Sequence, residues 1–507
     1  MSMTDAGFYF AEGENTPMHV GSVAVFDGPP PSYGDIIRLM LSKLPKVPRY
    51  RQRVRSLPLH LGRPLWTDDE HFQILYHVRH TAVPRPGSAE QLRNLAGRVL
   101  GQRLDMTKPL WEAWLVEGLE NDRWAIISKV HHCMVDGVAG NDLMQLIFDI
   151  EPDAQVPEPP EWSPDTAPST ASVMAGSLQD AVSFTVRQIG ALPPALRRIT
   201  AAPGEILRRS TMIGTMLPGI AQKLSTPRAR SLNGPIGPHR RWAWAETSFD
   251  AIKGVRTTLG GTVNDVVLTA ITRGFRDMLA KRGELTDRLV VRSMVPVSVR
   301  APSERGTLNN QVSAVFVDLP VGEPDPVERL HAVRRQMDEN KRINGALDVR
   351  SIIAMGDFVA PTLLALGTRA GVRAGQNLAQ AVTTNVPGPP IPLYVLGRRL
   401  SALYAYVPIA AGFRISIGIF SYLRTMSMGI NADFDAFPDI DVLADGIGAG
   451  VDELVEVADI RARTAAAAAK PAAAARPATA AKAAKPAKAT KRVAAKRSAP
   501  KNPPPTT

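Results

Sequence analysis

The sequence predicts an α/β (α+β) fold: two mixed-sheet domains joined by a helical crossover and followed by a disordered tail. Three observations carry that expectation. Short β-branched runs and segments of helical period alternate both before residue 150 and after residue 225. Between them, from Glu151 to Ser172, the composition turns to Pro, Glu, Ser and Thr, which cannot pack as a core and marks a linker or crossover. From Thr464 onward the chain is Ala, Lys and Pro with no apolar periodicity, as a disordered segment has. The divisions that follow are 1–150, 151–224, 225–460 and 461–507, and 507 residues suffice for two or more buried cores.

In chain order, Gly21 to Phe26 reads as a strand, and Tyr33 to Leu44 and Ala89 to Leu100 as helices. Trp111 to Glu117 and Trp124 to Val130 read as two strands around a polar turn at Glu120-Asn121-Asp122. Residues 173–223 carry helical patterns broken by prolines, with a basic face at Arg197, Arg198, Arg208 and Arg209 that suits packing on the protein better than lying on a membrane. Thr262 has the place of a helix cap before apolar positions Val267, Leu268, Ile271 and Phe275. Leu289 to Val299 and Val312 to Leu319 read as strands, and the period-two runs Ile415–Ile419 and Met426–Ile430 as a hairpin.

The formal net charge of +12 has the look of a nucleic-acid-binding protein until it is located. Ten basic residues and no acidic one lie from Thr464 to the end, so the body carries only +2. That tail is suited to weak, salt-dependent and sequence-independent attraction to anionic lipid or nucleic acid, or to simple solvation. One cysteine, Cys133, rules out an intramolecular disulfide framework and fits a reducing compartment. The N-terminus lacks the basic start and apolar core of a signal peptide, and no apolar run approaches the ~20 residues of a membrane span. The segment around Phe358 to Leu366 is far too short and contains Pro361. A cytoplasmic protein, with peripheral membrane contact left open, is the expectation.

The chemistry is expected at Lys129-Val130-His131-His132-Cys133-Met134-Val135-Asp136-Gly137, where an apolar strand ends. A helix is expected after it, from Leu143, Leu146, Ile147 and Ile150. Neighbouring strand residues face opposite ways, so only one histidine of the pair can enter a given cavity. A chance match to two histidines followed at fixed offset by Asp-Gly is on the order of one in a thousand for a chain this long. Divergent histidines without a third ligand at a familiar spacing are a poor metal site, and no metal is expected.

His131-His132-Cys133-Met134-Val135-Asp136-Gly137 resembles the HHxxxDG motif of the coenzyme A-dependent acyltransferase superfamily. Further stretches are similar to the bacterial wax ester synthase/diacylglycerol acyltransferase family, of the actinobacterial triacylglycerol synthase type. They are Asp5–Phe8 with Thr16–Gly21, Pro109-Leu110-Trp111, Leu232–Gly237, Asn264-Asp265 and Thr384–Pro389. The likeness runs from residue 1 to about 460 in consistent order, and Asn309-Asn310-Gln311 departs from the family's usual Gly-Asn-Arg-like sequence.

The resemblance implies two chloramphenicol-acetyltransferase-like domains and transfer of a long-chain acyl group from acyl-CoA to diacylglycerol or a long-chain alcohol, with no other cofactor. It implies direct transfer with His132 as general base and His131 in support. Asp136 would hold the loop through an ion pair, and Gly137 would allow a tight turn. Asn264 and Asn385 are the polar candidates for substrate binding, each with a simple structural account as helix start or turn former. Pro109, Leu110 and Trp111 join that set in a structural more than a chemical capacity. Two other functions compete: a carrier-protein-dependent condensing relative, and a non-catalytic lipid-droplet or membrane-binding scaffold. An enzyme making triacylglycerol would work at the inner membrane face or a lipid droplet.

Overall fold

The β-branched runs of the sequence build two six-stranded mixed sheets. The computed structural model describes residues 1–56, 64–135, 147–167, 169, 227–298, 312–346, 379–409 and 412–473. The strands of the two sheets are β1 (His19–Asp27), β2 (Val78–Ala82), β3 (Trp111–Leu119), β4 (Arg123–His131), β5 (Arg240–Ser248), β6 (Val291–Ser298), β7 (Val312–Leu319), β8 (Ala381–Pro387), β9 (Tyr394–Val395), β10 (Arg398–Tyr406), β11 (Ile415–Tyr422) and β12 (Thr425–Asp433). The principal helices are α1 (Met3–Ala11), α2 (Tyr33–Lys43), α3 (Ala89–Gly101), α4 (Phe249–Leu259), α5 (Val263–Lys281), α6 (Pro326–Ala346) and α7 (Ile440–Ala473).

The first sheet runs β9-β10-β1-β4-β3-β2 and the second β7-β6-β8-β11-β12-β5. β2 is parallel to β3, and β8 is parallel to both its neighbours; the other pairs are antiparallel. One face of the first sheet packs Phe26, Trp111, Trp124 and Ile126 with α2, and the other packs Val23, Val25 and Ile127 with Leu92, Leu95 and Val99 of α3. The second sheet packs its Ile and Met positions, Ile415, Ile417, Ile419, Met426, Met428 and Ile430, in one cluster with residues of α5 and α7.

Local chemistry explains why these elements start where the sequence places them. Ser88 and Gln91 form a reciprocal capping box at the start of α3, as Thr262 and Asp265 do at the start of α5. Val267, Leu268, Ile271 and Phe275 of α5 are all fully buried. The turn between β3 and β4 places Asn121 and Asp122 at positive φ, where short polar side chains are the ones tolerated. The hairpin of β11 and β12 pairs Gly418 with Gly429 and Tyr422 with Thr425.

β9 and β10 come from the range 225–460 yet pair in the first sheet, with β10 beside β1. A glycine notch makes room for this return. A Cβ on Gly429 would lie 1.8 Å from the Ala405 carbonyl oxygen, and one on Gly418 3.0 Å from Ala405 Cβ. Side chains of the second sheet satisfy the carbonyls that arrive there: Ser427 Oγ donates to Leu403 O at 2.5 Å, and Ser416 Oγ and Asn431 Nδ2 donate to Val407 O at 2.7 and 2.8 Å. Hydrogen bonds and missing side chains together let two backbones approach where side chains would hold them apart.

One expectation is sharpened and one corrected. The Pro-rich stretch after Glu151, expected as a linker or crossover, is held to the body at two points: Trp162 packs edge-on against Phe72 at 6.0 Å under the Arg51 guanidinium, and the Asp165 amide donates to Asp68 Oδ2 at 3.1 Å. A lone large aromatic supplies anchoring area that average composition conceals. The chain divides into compact units Met1–Asp459 and Ile460–Thr507, and in the second the described residues, Ile460–Ala473, are helical rather than disordered. Alanine is the strongest helix former, so Thr464–Ala473 extends a helix without needing an apolar face. The expected helix after Gly137, the basic helices of 173–223, the segment from Phe358 to Leu366, Asn309-Asn310-Gln311 and the chain beyond Ala473 lie outside the described residues, save that Ile147 is buried and Ile150 exposed.

Candidate active site

The double histidine straddles the end of β4. His131 is the last residue of the strand, and His132 opens a 3-10 turn, His132–Met134. Backbone hydrogen bonds from both flanking segments hold the pair. The His131 amide donates to Leu110 O at 2.9 Å, and the His132 amide donates to Met18 O at 2.8 Å. Two stretches singled out in the sequence, Pro109-Leu110-Trp111 and Thr16–Gly21, thus grip the histidines through the main chain.

The two rings part, His131 as the last residue of the strand and His132 as the first of the turn. His131 is buried, 1% exposed at its side chain, and lies on the face covered by α3 with its register partner His19 and with Lys129. Gly21 sits opposite Lys129 on that face, where a Cβ would meet Ser128 O at 2.5 Å and Leu100 Cδ2 at 2.8 Å. Lys129 is buried and donates to Val99 O and Gln102 O at 3.2 and 3.1 Å while pairing with Glu112 at 3.2 Å, so it caps the C-terminal end of α3 with a cation.

His132 turns the other way and stacks on Phe8 of α1, ring centroids 3.7 Å apart and 17° from parallel. Its Nδ1 is enclosed and meets no side chain as a hydrogen-bond partner among the described residues. Burial of the ring pushes His132 down to about 4, with His131 adding to the shift and a contact between the ring and its own main chain opposing it. The imidazole is therefore unprotonated at neutral pH and free to accept a proton. Cys133 is buried, and burial first, then the Asp5 charge, pushes its thiol well above the ordinary range.

The sequence-selected residues fall into two groups. Leu110 and Trp111 are fully buried; Trp111 Nε1 donates to Tyr50 O at 2.8 Å, and its ring stacks on His77. These residues reach the histidines only through the backbone. Asn264, in the first turn of α5, and Asn385, in β8, come together at 3.5 Å, Nδ2 of Asn385 toward Oδ1 of Asn264. Among the described residues no hydrogen bond or ring contact joins the two groups. Asp136 and Gly137 lie outside the described residues. Phe8 and Glu12, which lie against His132 and His131, went unassigned in the sequence reading. Phe8 belongs to a stretch noted only for its family likeness, and Glu12 falls between two such stretches.

Two further histidines make the fold acid-sensitive. Burial, with Lys129 nearby, pushes His19 down to about 3 although its Nε2 donates to Leu100 O at 2.7 Å. Burial pushes His77 down to about 4 although its Nδ1 donates to Trp111 O at 2.8 Å. Unfolded, both titrate near 6.5, so the unfolded chain holds more protons below that pH. Their stabilisation is complete above about pH 6.5 and falls as pH drops toward 4, by up to about 1.4 kcal/mol per unit for each. Urea midpoints at pH 7.5, 6 and 5 are expected to fall in that order. His77→Phe, which keeps a ring against Phe72 and Trp111, is expected to flatten the slope; an unchanged slope would assign it to other groups.

Among the described residues no three His, Cys, Asp or Glu side chains converge as metal ligands, and no helix is long and apolar enough to cross a membrane. The wax ester synthase/diacylglycerol acyltransferase catalytic domain model matches residues 1–267, and the WS/DGAT C-terminal domain model matches residues 308–455. The chain is similar to the probable diacylglycerol O-acyltransferase tgs1 of Mycobacterium tuberculosis, 34% identical over 466 residues that cover 91% of this chain and 96% of the relative. In fold it is similar to the wax ester synthase/diacylglycerol acyltransferase from Marinobacter aquaeolei VT8, with a TM-score of 0.63 at 24% identity over 90% of this chain and 98% of that one. The starter condensation domain of rhizomide synthetase shares the architecture at a TM-score of 0.51 and 13% identity, over 91% of this chain and 94% of that domain. With both domain models matched in order along its length, this chain belongs to the wax ester synthase/diacylglycerol acyltransferase family of O-acyltransferases.

Proposed function

We propose that the chain transfers a long-chain acyl group from acyl-CoA to diacylglycerol, and to long-chain alcohols as a second acceptor, with His132 as the general base. The observation that carries this reading is the motif histidine kept unprotonated by burial and fixed in orientation by its stack on Phe8. In the proposed step His132 takes the proton of the acceptor hydroxyl as its oxygen bonds to the thioester carbonyl carbon. The carbon–sulfur bond then breaks, and the departing CoA thiolate receives that proton from the imidazolium. Acyl-CoA is a substrate, and the step draws on no further cofactor. The raised thiol of Cys133 supports direct transfer over an acyl-enzyme, because a buried neutral thiol is a poor nucleophile. Asn264 and Asn385 together supply amide dipoles suited to a substrate oxygen, and Pro109-Leu110-Trp111 supports the site through the Leu110 carbonyl that accepts the His131 amide. Asp136 and Gly137 would complete the loop.

Triacylglycerol and wax esters partition into lipid, so the enzyme is placed in the cytoplasm, docked on the inner membrane face or a lipid droplet. The ten cations after Thr464 supply a salt-sensitive attraction to an anionic surface. The test is a competition: labelled long-chain acyl-CoA with diacylglycerol and a long-chain alcohol together, and a parallel reaction with an acyl-carrier thioester. Labelled triacylglycerol from acyl-CoA is expected. Transfer from the carrier thioester alone would overturn the reading in favour of a condensing enzyme.

A further inference from the structure

We propose that Glu12 is a positioning residue for acyl transfer: its carboxylate selects one tautomer of His131, and His131 then shapes the turn that presents His132. The inference rests on the reading of His132 as the base. Glu12 directly follows α1, and its side chain is only 5% exposed. Its Oε1 accepts from Arg103 Nε at 3.1 Å. Its Oε2 accepts from the Met18 amide at 2.5 Å and lies 3.5 Å from His131 Nε2. Burial by itself would raise this carboxyl; the His131 ring, the Met18 amide and Arg103 outweigh it and hold it below the usual carboxylate range, so it is anionic at neutral pH.

The other side of the His131 ring settles where its proton is. Nδ1 accepts the Cys133 amide at 3.1 Å, so that nitrogen carries no hydrogen and the neutral ring holds its proton on Nε2, toward Glu12. The opposite tautomer would set N–H against N–H at Cys133 and a lone pair against a carboxylate at Glu12. Both contacts are repulsive in a buried site, where an unsatisfied group is costly. The Cys133 amide is one of the first amides of the 3-10 turn and has no partner within it, so His131 acts as the cap of the turn that carries His132.

Glu12 reaches His132 by a second route. It binds the Met18 amide, and the Met18 carbonyl accepts the His132 amide at 2.8 Å. The helix that ends at Glu12 also supplies Phe8, on which the His132 ring stacks. One carboxylate therefore ties together the cap before His132, the backbone contact at it and the helix beneath its ring. Glu12 contacts His131 and not His132, so its role is orientation, with no proton passing through it.

The test uses the full chain and nitrogen NMR of histidine-labelled protein, with His131 assigned by its absence in His131→Gln. Wild-type His131 is expected to be the Nε2–H tautomer; an Nδ1–H or imidazolium form would overturn the proposal without any Glu12 variant. Glu12→Ala is expected to mix the tautomers and lower kcat by about 10- to 100-fold, the scale of a small misplacement of reacting groups, with KM for acyl-CoA within about two-fold. Glu12→Gln, whose single amide oxygen in the place of Oε2 faces the Met18 and His131 N–H groups while the Arg103 contact is lost, is expected to restore kcat to within about five-fold and to restore the tautomer. A folded Glu12→Ala at wild-type turnover, or one that loses turnover with His131 still Nε2–H, would overturn it. His132→Ala run alongside separates the two readings: turnover surviving there sinks the base assignment, whereas loss there with full activity in Glu12→Ala sinks the positioning role alone.

Discussion

His132→Ala is expected to lower acyl-transfer turnover by at least about 100-fold, the usual scale for removing a general base. The substitution is chemically severe and structurally mild. The His132 amide keeps its hydrogen bond to Met18 O, because that contact uses the main chain, and the ring's loss leaves the face of Phe8 without its stacking partner. Far-UV circular dichroism and the urea midpoint at pH 7.5 are therefore expected to stay near wild type while the rate falls. Turnover is measured with long-chain acyl-CoA and diacylglycerol. A purified, folded His132→Ala protein that turns over near the wild-type rate would remove His132 from the chemistry. Cys133→Ala provides the contrast: with its thiol buried and held protonated, its replacement is expected to leave the rate within a few-fold.

The largest loss of stability is expected at Trp111. This ring is fully buried, stacks on His77 at 4.7 Å and 13°, and donates Nε1 to Tyr50 O at 2.8 Å. Its own carbonyl accepts from His77 Nδ1, and the preceding carbonyl, of Leu110, accepts from the His131 amide. Trp111→Ala removes the ring from a close-packed face and is expected to cost about 3–5 kcal/mol in urea unfolding, the range for truncating a buried aromatic. Trp111→Phe retains most of the packing and leaves the Tyr50 carbonyl unpaired, for a loss of about 1–3 kcal/mol. A loss below about 1 kcal/mol in the alanine variant would mean that the cavity collapses or fills, and that the Pro-Leu-Trp stretch matters for another reason. Activity is expected to fall with stability, because the Leu110 carbonyl, immediately before the strand that Trp111 opens, accepts from the His131 amide.

Physical reach decides which parts of this molecule are legible from sequence. Where a signal is local, reading the chain suffices. The capping box at Thr262 and Asp265, the buried helical stripe of Val267, Leu268, Ile271 and Phe275, and the period-two hairpin around Gly418 and Gly429 depend on neighbours a few residues apart. The divergence of the two histidines is the expectation for neighbours on a strand, and the rings do separate, one toward Glu12 and one onto Phe8, although the strand ends between them. Composition misled where one residue outweighed an average. Trp162 anchors a Pro-rich stretch that reads as a linker, and alanines carry a helix through Ala473 where the lack of an apolar stripe suggests disorder.

The amino-acid order by itself determined where the candidate base stands, which strand leads to it, and that the excess positive charge lies in the tail rather than the body. Only the tertiary structure decided what surrounds that base. Glu12 and His131 are separated by over a hundred residues, β10 joins a sheet whose other long strands lie far before it, and Asn264 meets Asn385 across a similar gap. Side-chain periodicity records which face of an element is buried, not which distant element covers it. Partners of that kind are set when the sheets pack, and beside the local cap between His131 and the Cys133 amide, the contacts of the pair with Glu12, Met18 and Phe8 are of that kind.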